Sequence, residues 1–288
     1  MSPKEHLDRV RAQLATLRGA TRQISGVGWV CSIARHRLHT VALPQCAAVV
    51  VLEGRKLLFR GQERLETSAG QLLLIPAQVG LTVENIPDPA SGRYTALVLE
   101  FEEKLLVRVA AATPTPDEPP SGDCECWRVP LDAPLASSLA HLLDMGLVSV
   151  GGERVLSLCR EELLTLLSER SGFLPRFWPA STSWRARCAA LLGADPGREW
   201  PAVEVASRLG VSERNLRRNL SAEGVGLRTL LRDVRLNTAL GLLQSGRLNV
   251  GEAAFRCGYA SPSRFAVRFR QRFGMRPSDL LRQNAEVG

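Results

Sequence analysis

The sequence predicts a two-domain α+β chain, in which a small all-β barrel with flanking helices precedes an all-α domain carrying two helix-turn-helix units. Three observations predict it. Short β-branched and apolar runs divided by Gly and Pro fill residues 24–101. Helical periodicity replaces them from residue 184 onward. Within that second region one local design occurs twice, 48 positions apart: WPAVEVASRLGVSERNLRRNL (200–220) and LNVGEAAFRCGYASPSRFAVRF (248–269), with Ala206 and Gly210 corresponding to Ala254 and Gly258.

A length of 288 residues is enough for two ordinary cores, and a hydrophobic content of 45% is that of a globular protein. The longest apolar run, Ala47–Leu52, has the length of a buried strand and falls far short of a membrane span. The opening MSPKEHLDRVRAQL is polar and lacks the apolar stretch of a secretory signal, so a cytoplasmic protein without a membrane partner is expected. Seven cysteines form an odd set with no doubled C-x-x-C, and Cys124 and Cys126 stand too close for a zinc knuckle. Reduced, mostly buried thiols are expected, with no metal and no cofactor.

The net charge of +8 is unevenly spread. Residues 185–288 hold 18 arginines, no lysine and 9 acidic residues, a net +9, whereas the remainder holds 19 basic and 20 acidic residues, a net −1. A surplus confined to the region of the repeat suits the neutralisation of phosphates. A general preference for Arg explains why the chain has only three lysines, but not why the charge is segregated.

Along the chain, Leu7, Val10, Leu14 and Leu17 give residues 1–22 the spacing of a leading helix. The runs AAVVVLEG, KLLFRGQERLETSAG, QLLLIPAQVGLTVENI and RYTALVLEF supply the barrel strands. Glu102–Ala112 turns helical, and the Pro-rich stretch 113–123 is a loop or linker. Amphipathic helices are expected near Ala133–Leu147 and Glu153–Ser168, where Leu156, Leu163, Leu166 and Leu167 share a face that could pack on the barrel or meet a second subunit. The expected organisation is a barrel-and-helix domain over 1–170, a linker over 171–183 and a helical domain carrying both repeats over 184–288.

In the first repeat Ala202, Val205, Ala206 and Leu209 lie on one helical face, Gly210 suits a tight turn and Val211 plugs the corner. Ser212 is a natural cap for a helix through Ala222, with Leu216 and Leu220 inward and Glu213, Arg214, Arg217 and Arg218 outward. Gly226 is expected to end that helix. A helix over Leu227–Gln244 then extends about 27 Å, comparable with the roughly 34 Å between successive major grooves on one face of DNA. In the second repeat Asn249 and Glu252 fit a capping box, Ser261 caps the second helix with Pro262 at its first position, and Phe265 and Phe269 face inward. Ser263, Arg264, Val267 and Arg268 are then left on the outward side.

The stretch GYASPSRFAVRFRQRFGMRPSDLLR (258–282) resembles the signature of AraC/XylS-type transcription regulators, through Gly258, Tyr259, Ser261, Ser263, Phe265, Phe269, Phe273, Gly274, Pro277 and Arg282. RLNTALGLL (235–243) resembles the family's linker helix, and VASRLGVSERNLRR its first motif. The resemblance covers about 100 residues. It implies double-stranded promoter DNA as partner, read by Arg214, Arg217 and Arg218 from the first recognition helix and by Pro262, Ser263 and Val267 from the second. Arg264 and Arg268 are candidates for phosphate anchors. Val267 stands where the family often has Arg, so the second unit is expected to read sequence more weakly. Family precedent favours activation, which would bring RNA polymerase as a partner.

EGRKLLFRGQERLETSAGQLLLIPAQVG (53–80) resembles the cupin-like sensor barrels that precede this domain in many regulators, without their metal pattern. His36 and His39 are the only close histidine pair and are expected to be satisfied or exposed side chains, not ligands. Such a barrel implies a small-molecule effector or a homodimer contact. Glu53, Arg55 and Arg60 could touch an effector, though strand positions favour a solvent-facing role. An enzymatic barrel would need a nucleophile–base pair or metal set in residues 24–110, and none is legible. A nonspecific architectural DNA binder is the alternative to sequence-specific regulation.

Overall fold

A computed structural model of the chain describes residues 3–19, 24–112, 127–148, 152–171, 183–245 and 248–285. The expected Pro-rich linker (113–123) and nearly all of the expected domain boundary (171–183) lie outside the described residues.

The chain opens with helix α1 (Pro3–Gly19). Eight strands follow: β1 (Val27–Ser32), β2 (His36–Val41), β3 (Cys46–Glu53), β4 (Arg55–Arg60), β5 (Glu63–Ser68), β6 (Gln71–Ile75), β7 (Leu81–Ile86) and β8 (Tyr94–Phe101). Then come α2 (Glu103–Ala112), the short β9 (Arg128–Pro130), α3 (Ala133–Val148) and α4 (Gly152–Ser171). The strands form two antiparallel sheets that face each other as the expected cupin-like barrel, one ordered β1-β8-β3-β6-β9 and the other β2-β7-β4-β5. The run Ala47–Leu52 lies at the centre of β3, buried along its whole length, because one face meets the barrel interior and the other meets α1, which forms a covering layer with α3 and α4. Val10, Leu14 and Leu17 of α1 are buried in that layer, and Gln13 Nε2 donates to Ala140 O of α3 at 3.0 Å. Leu156, Leu163 and Leu167 of α4 are buried too, so this face packs within the domain.

The second region is helical throughout: α5 (Trp184–Gly193), α6 (Ala202–Arg208), α7 (Glu213–Ala222), α8 (Leu227–Gln244), α9 (Val250–Arg256), α10 (Pro262–Phe273) and α11 (Pro277–Ala285). Gly224, with φ +70°, and not Gly226 ends α7; Gly226 instead takes an extended conformation as the N-cap of α8. The first repeat has its own apolar core, built from Cys188, Leu192, Trp200, Val205, Leu216, Leu220 and Val234. The second does not. Phe265, Phe269, Phe273, Leu236, Leu240 and Leu280 belong to one apolar cluster with the barrel, so the second unit is docked against β1 and β2. Among the described residues no helix is long and apolar enough to cross a membrane.

Candidate nucleic-acid interface and an adjoining cavity

Each repeat forms a helix, a tight turn and a second helix, and side-chain caps fix three of the four helix starts. In the first, Gly210 carries φ +72°, and the Ser212 hydroxyl accepts from Asn215 N–H at 3.3 Å to start α7. In the second, Asn249 and Glu252 close a capping box, with two bonds of 2.9 Å, at the start of α9. Ser261 caps α10 by accepting from Arg264 N–H at 3.3 Å, with Pro262 at its first position. Inward faces are apolar. Leu216 and Leu220 hold α7, while Phe265, Phe269 and Phe273 stack along α10 with centroids 5.4 Å and 4.7 Å apart.

The outward faces carry the residues singled out from the sequence. Arg214, Arg217 and Arg218 are exposed on α7, and Pro262, Ser263, Arg264, Val267 and Arg268 on α10. Val267 is 57% exposed, an apolar side chain in the middle of a polar face. Among the described residues the guanidinium groups of Arg214, Arg218 and Arg264 have no protein partner, whereas Arg217 pairs with Glu213 one turn earlier and Arg268 donates to Gln271 at 3.4 Å. Fixed helices that present unpaired arginines can donate to guanine edges or phosphates without first breaking internal bonds.

The helix α8 between the repeats is a shared strut. Arg235 donates from Nε to Pro196 O at 2.8 Å and from Nη2 to Arg198 O at 3.0 Å, both in the loop before α6. Its guanidinium also lies against Gly258 in the turn of the second unit. Asp233 pairs with Arg272 of α10 at 3.0 Å, with both side chains largely hidden. These contacts tie both units to one helix. They were not legible in advance, because Arg235 and Asp233 look like ordinary solvated positions on a helix.

The other end of α8 closes a cavity. Asn237 Oδ1 accepts from Ala42 N–H of the barrel at 3.0 Å, and a void of about 360 Å³ lies between α8 and the barrel interior. Leu38, Val49, Ile75 and Val83 line it from the strands and Leu240 from α8, with Lys56 and Glu100 as ionisable groups. Lys56 is buried, donates to Asn85 Oδ1 at 2.7 Å and has its ammonium 5.6 Å from the Tyr94 ring centre. Burial pulls its pKa down to about 8 and pushes that of Glu100 up. Glu53, Arg55 and Arg60, for which strand positions favoured a solvent-facing role over an effector contact, do not line the cavity; its ionisable groups are Lys56 and Glu100. Alternation along β4 was the available signal, since Lys56 shares its face with Leu58.

His36 and His39 point to different surroundings. His36 is buried and hydrogen-bonded to Ser32 and Asn85, while His39 is exposed beside Gly274. Among the described residues no cluster of three or more His, Cys, Asp or Glu could hold a metal ion. The five described cysteines are buried, and burial raises every one of their pKa values, to about 11 for Cys46, Cys188 and Cys257. Thiols of that kind are poor nucleophiles.

Residues 205–283 match a helix-turn-helix domain family. Transcriptional regulator SirC of Salmonella typhimurium is 37% identical over 89 residues, 31% of this chain and 30% of that protein. The urease operon transcriptional activator of Escherichia coli is 34% identical over 96 residues, 33% of this chain and 32% of that one. Over this stretch the chain is similar to AraC-type regulators. The chain spans about a third of the length of these curated relatives. The likeness in fold runs further than the AraC-type domain. ToxT of Vibrio cholerae, solved with unsaturated fatty acid bound, superposes with a TM-score of 0.62 at 14% identity, over 92% of this chain and 98% of that one. Barrel and AraC-type domain therefore share one architecture with that protein, although so low an identity speaks for fold alone.

Proposed function

We propose that the chain is a sequence-specific, DNA-binding transcription regulator whose AraC-type domain is governed by a small molecule in the cavity beneath α8. The observation that carries this reading is the strut itself. One helix braces two arginine-bearing recognition helices at its sides and closes an apolar cavity at its end. In this reading Arg214, Arg217 and Arg218 read base edges, Pro262, Ser263 and Val267 read weakly or by apolar contact, and Arg264 and Arg268 anchor phosphates. The division into a sensing and dimerisation domain (1–170), a linker (171–183) and a DNA-binding domain (184–288) belongs to the same proposal.

An apolar chamber with one buried ammonium suits a mostly apolar molecule carrying an acidic group, and the fatty acid in ToxT is of that class. The relative named as an activator favours activation, with RNA polymerase as partner and a homodimer as the DNA-bound form. The mechanism needs no bond-making: the ligand shifts the population competent for DNA. The protein is then a cytoplasmic regulator and not an enzyme. Selection of fragments from random DNA by the purified full chain, at a stated salt concentration, tests the reading. Enrichment of one motif with two elements is expected. Equal recovery of all sequences would instead make the protein an architectural DNA binder.

A further inference from the structure

An unbroken file of side-chain hydrogen bonds joins the cavity to the last helix of the AraC-type domain. Lys56 Nζ donates to Asn85 Oδ1 at 2.7 Å. Lysine can only donate, so this bond fixes the amide with its nitrogen toward His36, where Asn85 Nδ2 lies 3.2 Å from Nε2. The amide nitrogen must donate as well, so Nε2 accepts and the neutral ring carries its proton on Nδ1. Burial, which lowers the His36 pKa, keeps the ring neutral. Nδ1 stands 3.0 Å from Ser32 Oγ and 3.1 Å from Ala34 O. The Ser32 hydroxyl, accepting from the ring, has its own proton to give, with Ala34 O at 2.7 Å and Gln283 Oε1 at 3.3 Å within reach. Gln283 belongs to α11. Every donor up to Ser32 therefore points away from the cavity, and the Ser32 proton, shared between Ala34 O and Gln283 Oε1, carries the file on to the DNA-binding domain.

We propose that Lys56, Asn85, His36 and Ser32 form a relay that reports the state of the cavity to the docking of α11. It rests on the reading of the cavity as the effector site, and supplies that site's means of regulation. Lys56 sets the direction of the whole file. When an acidic ligand draws the ammonium away, Asn85 loses the partner that orients it and is free to turn its oxygen toward His36. The ring must then present an N–H at Nε2. It takes a proton there from a water molecule admitted by transient local opening and returns the one on Nδ1 to it, with no net change of charge. Nδ1 becomes an acceptor for the Ser32 hydroxyl, and Gln283 loses its donor. Asn85, His36 and Ser32 are all buried, so bulk water does not mask the reversal. His36 and Asn85 act here as positioning residues that touch neither ligand nor DNA.

Hydrogen exchange on the ligand-free, DNA-free full chain tests the relay, read at the amides of α11 and, as an internal control, of α7 in the separate core of the first unit. Lys56→Met and Ser32→Ala are each expected to speed exchange of α11 several-fold and leave α7 unchanged. The double variant should exchange no faster than the faster single, since both changes break the same file. Wild-type exchange of α11 in Lys56→Met, or effects that add in the double variant, would overturn the proposal. Should Lys56→Met fail to fold, Asn85→Ser breaks the file at its second link and is read in the same way. Because neither effector nor DNA enters the measurement, a cavity that binds no effector would leave these rates as stated, and the two readings fail separately.

Discussion

Gly258 approaches Arg235 so closely that a Cβ on the glycine would lie 2.8 Å from the guanidinium carbon. The same Cβ would meet Gly197 O at 2.9 Å, and the glycine itself holds φ +75°. The turn of the second unit, the loop before the first and the strut between them thus interlock at one point. Gly258→Ala is expected to destabilise the domain by about 1–3 kcal/mol through left-handed strain and the displaced arginine. Denaturant midpoints of the two proteins check it.

Arg235→Lys should be nearly as damaging to DNA binding as Arg235→Ala, because an ammonium cannot span the two carbonyls that the guanidinium fork reaches. The expected loss falls on duplexes carrying both elements, with little change on duplexes carrying one. Equal losses on both would make Arg235 a DNA contact and not a brace.

On the recognition helices, Arg217→Ala or Arg218→Ala is expected to cost about 1–3 kcal/mol at the selected site and to relax preference at one base pair. Val267→Ala should cost less. Arg264→Ala and Arg268→Ala should weaken binding evenly across sequences and lower the salt slope by about one each. Titrations of each variant on cognate and scrambled duplexes at several salt concentrations separate the two patterns.

Much of this domain was legible in the sequence, because its signals are local. Ser212, Ser261 and the Asn249–Glu252 pair announce helix starts by chemistry acting over three residues, and the Phe265–Phe269 spacing names an inward face. The barrel was legible as alternating short runs, without its strand order. What could not be read were contacts between distant segments. Asn237 looks like a polar residue on an exposed helix until Ala42, 195 positions earlier, is set against it. Lys56 looks solvated until β4 is wrapped inward, and the end of α7 shifted from Gly226 to Gly224 because two glycines two apart offer the same local signal.

Asn237→Ala leaves the buried end of the Ala42 N–H without an acceptor and is expected to cost about 1–3 kcal/mol. Asn237→Asp, which keeps an acceptor oxygen, should cost less. The unfolding free energies of both variants at neutral pH check the order.

Lys56 gives stability a definite pH dependence. Its pKa is about 8 in the folded chain against the usual 10.5, so between these values the unfolded chain binds the proton that the folded chain has shed. Stability from this group therefore rises as pH climbs from 8 toward 10 and is lost as pH falls through 8. The difference in unfolding free energy between wild type and Lys56→Met should grow over that window and level off below it. Binding of oleate, as an acidic apolar probe, should be tighter below pH 8, where the ammonium is charged, and that preference should vanish in Lys56→Met.

The most direct test of two recognition helices braced for neighbouring grooves is the dependence of affinity on the spacing of the two DNA elements. A series of duplexes with centre-to-centre spacings on either side of one helical turn would be titrated with the full chain at fixed salt. A single affinity maximum at about 10–10.5 base pairs, lost in Arg235→Ala, is expected. Affinity that ignores the spacing, or wild-type and Arg235→Ala curves that coincide, would contradict it.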